Sequence, residues 1–108
     1  MYRLGARNQK WFIAFLLLAP CAVAPAAYAQ SAAAQGHALY SSLCARCHGV
    51  DLDNPQPNTP DLKSLKAGQH DLFVTMVENG KGEMPPWKGL LSPMQIRQIW
   101  AYVQANAK

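Results

Sequence analysis

Two cysteines two residues apart and followed at once by a histidine, Cys44-Ala45-Arg46-Cys47-His48, constrain this 108-residue chain more than any other stretch of it. Thiols at that spacing lie on one short turn, and a C-x-x-C-H run is the attachment signature of a c-type haem. The sulfurs add across the two vinyl groups at one edge of the macrocycle, and the histidine is aimed back at the iron as an axial ligand. The motif therefore names a cofactor, and with it a large apolar surface for the rest of the chain to pack on.

Other uses of such a pair fit less well. A redox disulfide of the thioredoxin kind sits at the end of a strand in a βαβ context, and no strand pattern precedes Cys44. A zinc site needs two further ligands. Beyond His48 the chain offers only His37, His70 and Cys21, with no second C-x-x-C and no paired-histidine spacing.

At the amino terminus Arg3, Arg7 and Lys10 precede the apolar run from Trp11 to Ala19, which reads as a secretory signal peptide. The run is shorter than the ~20 apolar residues of a membrane-spanning helix. Ala27-Tyr28-Ala29 supplies a small-x-small cleavage pattern, so the expected division is a leader at 1–29 and a single domain at 30–108. The competing reading is a lipoprotein acylated at Cys21, since Leu18-Ala19-Pro20-Cys21 is lipobox-like, but the proline before the cysteine fits that processing poorly. No adjacent arginine pair marks export in the folded state, so haem is expected to be attached outside the cytoplasm.

Losing the leader changes the bulk numbers. Three of the ten basic residues go with it, which leaves seven against six acidic residues, a net charge of +1 rather than +4. No run of lysine and arginine with interleaved aromatics remains, so nucleic-acid binding has no support. A domain of 79 residues buries a modest core and commonly needs a staple, which a covalent haem supplies. With Cys21 removed, both remaining thiols belong to the motif.

The domain reads as short helices joined by proline-rich and glycine-rich connections, without strand alternation. Gly36, Tyr40 and Leu43 recur at helical spacing between Ser31 and about Cys44, with Leu39 beside them, and the alanine-rich stretch from Ala22 to Ala34 is expected to be leader and frayed start. Residues 49–60, with Gly49, Asp51, Asp53, Asn54, Pro55, Pro57, Asn58 and Pro60, read as loop. Asp71–Glu78 predicts a short amphipathic helix with Leu72, Phe73, Met76 and Val77 on one side, ended at Asn79-Gly80 by a left-handed residue. Ser92-Pro93-Met94-Gln95 is a capping pattern with proline at the first helical position, and Ile96, Ile99 and Val103 follow at core spacing.

In this order the motifs resemble the class I c-type cytochromes, in their compact bacterial monohaem form, over nearly the whole of 30–108. Gly36-x-x-x-Tyr40-x-x-x-Cys44 is similar to the family's first helix, and Ile99-x-x-Tyr102 to its partner pair on the last helix. Thr59-Pro60-Asp61-Leu62 resembles the segment whose proline carbonyl accepts a hydrogen bond from the haem histidine. Gly80-Lys81-Gly82-Glu83-Met84-Pro85-Pro86-Trp87 resembles the methionine-ligand loop. The resemblance implies an all-α fold, three to four short helices wrapped around one covalent haem c bound through Cys44 and Cys47, with His48 and Met84 as axial ligands.

A thioether is a soft neutral donor suited to haem iron, and opposite histidine it raises the reduction potential. Met76 falls on the apolar face of a predicted helix, where methionine is more often core filler, and Met94 falls in the first turn of the last helix. Met84 lies in a loop between glycines and Pro85-Pro86, where the following proline holds it extended and stiffens the loop. Trp87 either hydrogen-bonds a haem propionate or packs on the cofactor for area alone. Tyr40 and Tyr102 read as helix-contact residues, and His37 and His70 as surface or helix-end residues. Lys63, Lys66, Lys81 and Lys88 are either part of a docking surface or simply solvated.

With both axial positions filled, the expected function is a periplasmic one-electron carrier rather than an enzyme. Its expected partners are a redox-protein donor and acceptor, such as a periplasmic dehydrogenase and a terminal oxidase. Two competing readings stand beside it. One is a haem subunit fixed to such a dehydrogenase or oxidase. The other is a peroxidase or gas sensor with a labile sixth ligand, which needs distal acid-base groups that the sequence does not visibly offer.

Overall fold

The computed structural model describes residues 25–53 and 55–108; Cys21 and the basic and apolar parts of the expected leader lie outside the described residues. Among the described residues four α-helices follow one another: α1 (Pro25–Leu43), the single turn α2 (Ala45–His48), α3 (His70–Asn79) and α4 (Pro93–Ala105). Short 3-10 turns at Val50–Leu52, Leu62–Ser64 and Ala67–Gln69 fill the connections. The described residues contain no strand, only the isolated bridges Lys81–Met84 and Lys88–Leu91, and the class is the expected all-α one.

Helix α1 starts six residues before the expected Ser31 and runs through Ala29-Gln30, the expected cleavage point. Alanine is the best helix former, and a proline in the first turn loses no hydrogen bond, so local propensity alone carries the helix back to Pro25. Residues 25–30 are exposed; the helix is buried only at Gly36 and Tyr40, where it crosses α4. A Cβ on Gly36 would stand 1.8 Å from the carbonyl oxygen of Gln98, so the two backbones are in contact there. One helical turn on, the rings of Tyr40 and Tyr102 meet with centroids 5.2 Å apart.

The start of α4 is fixed by a capping box. The Gln95 N–H donates to the Ser92 hydroxyl at 3.2 Å and the Gln95 side chain accepts from the Ser92 N–H at 2.8 Å, with Pro93 opening the helix. Ile96, Ile99, Tyr102 and Val103 then point into a core completed by Tyr40, Leu52, Phe73, Val77 and Leu91.

Two expectations need correction. On α3 only Phe73 and Val77 are buried, Phe73 against Trp100 at 5.1 Å. Leu72, 46% exposed, and the half-buried Met76 form the neighbouring i, i+4 stripe. The helix does end on Gly80 at positive φ, but with φ 71° and ψ 173° its conformation is extended rather than left-handed helical, a region open essentially to glycine alone. The other correction concerns the 49–60 connection. It is irregular as expected, yet Leu52 is 2% exposed and belongs to the core. Asp51 and Leu52 both have positive φ, 52° and 63°. Holding Leu52 there costs roughly 1–2 kcal/mol, which burial of a leucine side chain, worth about 1.5–3 kcal/mol, offsets.

Candidate haem site

The C-x-x-C-H run spans the break at Cys44 between α1 and α2 and the whole of α2 itself. The Cys44 N–H still bonds to the Tyr40 carbonyl at 2.8 Å as the last link of α1, while the Cys44 carbonyl accepts from the N–H groups of Cys47 at 3.2 Å and His48 at 2.9 Å. The chain thus reverses within five residues, with Cys44 half-buried and Cys47 exposed. Gly49 closes the turn at φ 88°, and its carbonyl accepts a 2.6 Å hydrogen bond from the Tyr40 hydroxyl. A residue of the helix crossing therefore also fixes the exit of the motif. Burial, with smaller contributions from neighbouring groups, pushes the Tyr40 hydroxyl up to about 12.

Burial pushes the Cys44 thiol up to about 11, with the neighbouring Cys47 adding to the effect. A reactive redox pair needs the opposite, a thiol held below its usual range, so the site keeps Cys44 neutral. Burial likewise lowers the basicity of His48, against a smaller opposing effect of its hydrogen bond to Pro60. A neutral imidazole presents one donor and one acceptor nitrogen. Nδ1 of His48 donates to the Pro60 carbonyl at 3.3 Å, which assigns the lone pair to Nε2.

The strap that carries Pro60 is tied to the motif at its near end. The Gln56 N–H donates to the Cys47 carbonyl at 2.9 Å and its side-chain amide to the Arg46 carbonyl at 3.2 Å. Thr59 turns back on Gln56, with its N–H on the Gln56 carbonyl at 2.9 Å, and Asn58 takes the positive φ of 68° that this turn requires. Beyond Pro60, Asp61 caps the 3-10 turn by accepting from the Lys63 N–H at 2.9 Å.

Met84 is held from both sides. Its N–H donates to the Lys81 carbonyl at 3.0 Å and its carbonyl accepts from the Lys81 N–H at 3.1 Å, around a tight turn in which Gly82 has φ 59°. Behind it, the Trp87 N–H reaches the Val77 carbonyl at 2.9 Å and the Lys88 N–H reaches the Glu78 carbonyl at 3.1 Å, stitching the loop to the end of α3. The loop passes so close to Gly80 that a Cβ there would lie 2.4 Å from the Met84 carbonyl oxygen. Met84 and Trp87 pack half-buried against the same core cluster as Cys44 and Ala45.

The other singled-out residues take the quieter roles. Met94 is 53% exposed, and Lys66, Lys81 and Lys88 are exposed. Lys63 is half-buried in an ion pair with Asp53. His37 is exposed, its Nε2 3.1 Å from Asp51 and its ring tilted against that of Tyr102 with centroids 4.8 Å apart; His70 opens α3 with its edge against Trp100. The motifs flagged Cys44, Cys47, His48 and Met84, but not the Tyr40–Gly49 bond, Gln56 or the burial of Leu52, for which periodicity and spacing carry no signal.

The chemistry of this donor set suits a c-type haem. It offers two unpaired cysteines on one turn, an imidazole with Nε2 free, and a thioether in a clamped loop, all beside an apolar cluster. Among the described residues no group of three or more histidine, cysteine, aspartate or glutamate side chains gathers as a metal cluster, and no helix is long and apolar enough to cross a membrane.

Comparison with known proteins agrees. Residues 31–103 match the family described as cytochrome c oxidase, cbb3-type, subunit III. Cytochrome c6 of Rippkaea orientalis is 34% identical over 101 residues, covering 90% of this chain and 89% of that one. Cytochrome c6 of Limnospira maxima is 37% identical over 83 residues, 69% of this chain and 93% of its own. The cbb3-type cytochrome c oxidase subunit FixP of Bradyrhizobium is 31% identical over 78 residues, 68% of this chain but 27% of FixP. No solved structure matches. A helical fold built on a Gly36–Gln98 crossing, a C-x-x-C-H turn and these relatives lead to one conclusion: the chain belongs to the class I c-type cytochromes and carries one covalently attached haem c.

Proposed function

We propose that this chain is an exported one-electron carrier whose haem is bonded to Cys44 and Cys47 and ligated by His48 and Met84. The observation that carries this reading is that both candidate ligands are held by backbone hydrogen bonds, His48 by Pro60 and Met84 by Lys81. Such a pair leaves no free coordination position for a substrate. The bound group supplies the one-electron chemistry, exchanging between ferric and ferrous states. The chain's residues do the rest. The Pro60 carbonyl keeps the His48 ring oriented and its Nε2 basic, the Lys81–Met84 clamp keeps the thioether in place in both states, and the core cluster excludes water.

The leader is read as residues 1–29, with the domain at 30–108 delivered to the periplasm, and the basic, apolar start of the chain supports this. The partners are a redox-protein donor and acceptor that approach the methionine loop, where Lys81, Pro85, Pro86 and Lys88 are exposed. A net charge of +1 gives little long-range steering, so short-range contact carries most of the recognition. The FixP likeness favours a second reading, a haem module of an oxidase. The carrier stands first because the match takes in most of the two cytochromes c6 and only 27% of FixP.

The test is spectroscopic. Ferric haem with a thioether ligand shows a weak charge-transfer band at the red end of the visible spectrum. Met84→Ala removes it, opens a site for carbon monoxide or cyanide and lowers the reduction potential, whereas Met76→Ala and Met94→Ala leave the band in place. Loss of the band in either control, with retention in Met84→Ala, sinks the assignment.

A further inference from the structure

The strap that orients His48 has two ends, and only one is tied to the haem motif. Its far end is gripped by the last residues of the chain. The Gln104 side-chain amide on α4 donates to the Leu65 carbonyl at 3.3 Å, in a partly buried position. The Lys108 N–H donates to the Lys63 carbonyl at 3.0 Å, and Lys66 Nζ reaches back to the Lys108 carbonyl at 3.4 Å. Lys63 turns its half-buried side chain the other way, into the ion pair with Asp53 just beyond the motif turn. Lys63 and Leu65 are three and five residues past Pro60, and Asp61 ties its own oxygens to Lys63 and Ser64 between them. Asp61 to Leu65 is thus one hydrogen-bonded turn, and because it follows Pro60 directly a shift of the turn carries the Pro60 carbonyl with it.

We propose that Gln104 and the Lys108 backbone form a latch: they fix the Pro60–Leu65 segment against α4 and thereby hold the Pro60 carbonyl on Nδ1 of His48, setting the donor strength of that ring. The inference rests on His48 being the histidine ligand and adds positioning residues far from the motif in sequence. A carbonyl on Nδ1 gives the imidazole partial anionic character, which favours the ferric state; loosening that hydrogen bond weakens the donor and raises the reduction potential. At 3.3 Å the bond is already long, so a small displacement of the strap has a large effect on it.

The experiment uses the haem-loaded protein and reads the exchange rate of the His48 Nδ1 proton by NMR together with the reduction potential. In Gln104→Met, and separately on deletion of Ala107–Lys108, exchange speeds up about fivefold, the factor equivalent to one ordinary hydrogen bond lost, and the potential rises. Gln104→Lys, which keeps an N–H donor on a long stem, restores both. Amide exchange in the α1–α4 crossing stays at the parent rate, which separates a latch from general loosening. Parent values of Nδ1 exchange and potential in both Gln104→Met and the deletion overturn the latch while leaving the ligand assignment intact. A parent protein whose haem-shifted histidine signals do not belong to His48 overturns the ligand assignment, and the latch with it.

Discussion

Gly36 and Gly80 are both places where one more carbon has no room, yet the two glycines guard different things. At Gly36 two helices meet backbone to backbone, and around that contact Tyr40, Ile99, Tyr102 and Val103 are each at most 7% exposed. At Gly80 a helix end meets a loop whose residues are exposed or half-buried and which is held by the pairs Lys81–Met84, Trp87–Val77 and Lys88–Glu78. The crossing is held by packed side chains and the methionine loop by backbone hydrogen bonds. Packing supplies global stability in proportion to buried area, whereas a handful of backbone bonds worth about 1 kcal/mol each fixes one position without adding much to the whole. Damage to the first region should therefore be read in folding, and damage to the second in the spectrum of the iron.

The largest effect is expected at the crossing. Gly36→Val puts a branched side chain where even a Cβ lies 1.8 Å from the Gln98 oxygen, and neither helix can yield without uncovering Tyr40 and Ile99. The expected loss is about 3 kcal/mol or more, read as a lowered urea midpoint of the haem-loaded protein. A cost below about 1 kcal/mol would mean that the helices slide apart freely and that the covalent haem holds the fold unaided.

A smaller global effect with a sharper local one is expected at Gly80→Ala. The added methyl meets the Met84 carbonyl oxygen at 2.4 Å and the backbone of Pro85 and Pro86 at 2.9 Å, and φ 71° strains any residue with a side chain. The loss of stability should be on the order of 2 kcal/mol, combining the strained backbone with the clash. The thioether band should weaken markedly in this variant and stay at full strength in whatever fraction of Gly36→Val folds. Equal loss of the band in both would erase the division between the two regions.

That division also explains what could be read from the sequence. Ile96, Ile99 and Val103 are buried because their spacing puts them on one face of α4, and Ser92 to Gln95 cap that helix as their residue types dictate. These are local patterns, and the residues alone carry them. The four candidate site residues stand out in the sequence for another reason, since Cys44, Cys47 and His48 form a chemical signature and Met84 stands between glycines and prolines. Illegible were the long-range backbone bonds, such as Gln56 on Cys47 or Lys108 on Lys63, because a carbonyl is the same in every residue. Leu52 stayed hidden among turn formers, since its burial depends on a positive φ that no leucine announces. Helix α1 was expected to start later because the leader pattern and the helix-forming alanines occupy the same residues.

The smallest effect belongs to Tyr40, which ties the crossing to the turn of the haem motif. Its ring is 0% exposed at the crossing and its hydroxyl holds the Gly49 carbonyl at 2.6 Å, directly after His48. Tyr40→Phe keeps the ring and its contact with Tyr102 and removes only the link to the motif. Gly49 is half-buried, so water can take the place of the hydroxyl and the net loss should be about 1 kcal/mol. The same change at Tyr102 leaves the Gly49 carbonyl paired, and the NMR signals of His48 and the haem should stay where they are in the parent. In Tyr40→Phe those signals should shift, because the exit of the motif turn has lost its anchor. A stability loss without such a shift would place Tyr40 wholly with the crossing, and the haem turn would then be held by its own hydrogen bonds together with those from Gln56 and Pro60.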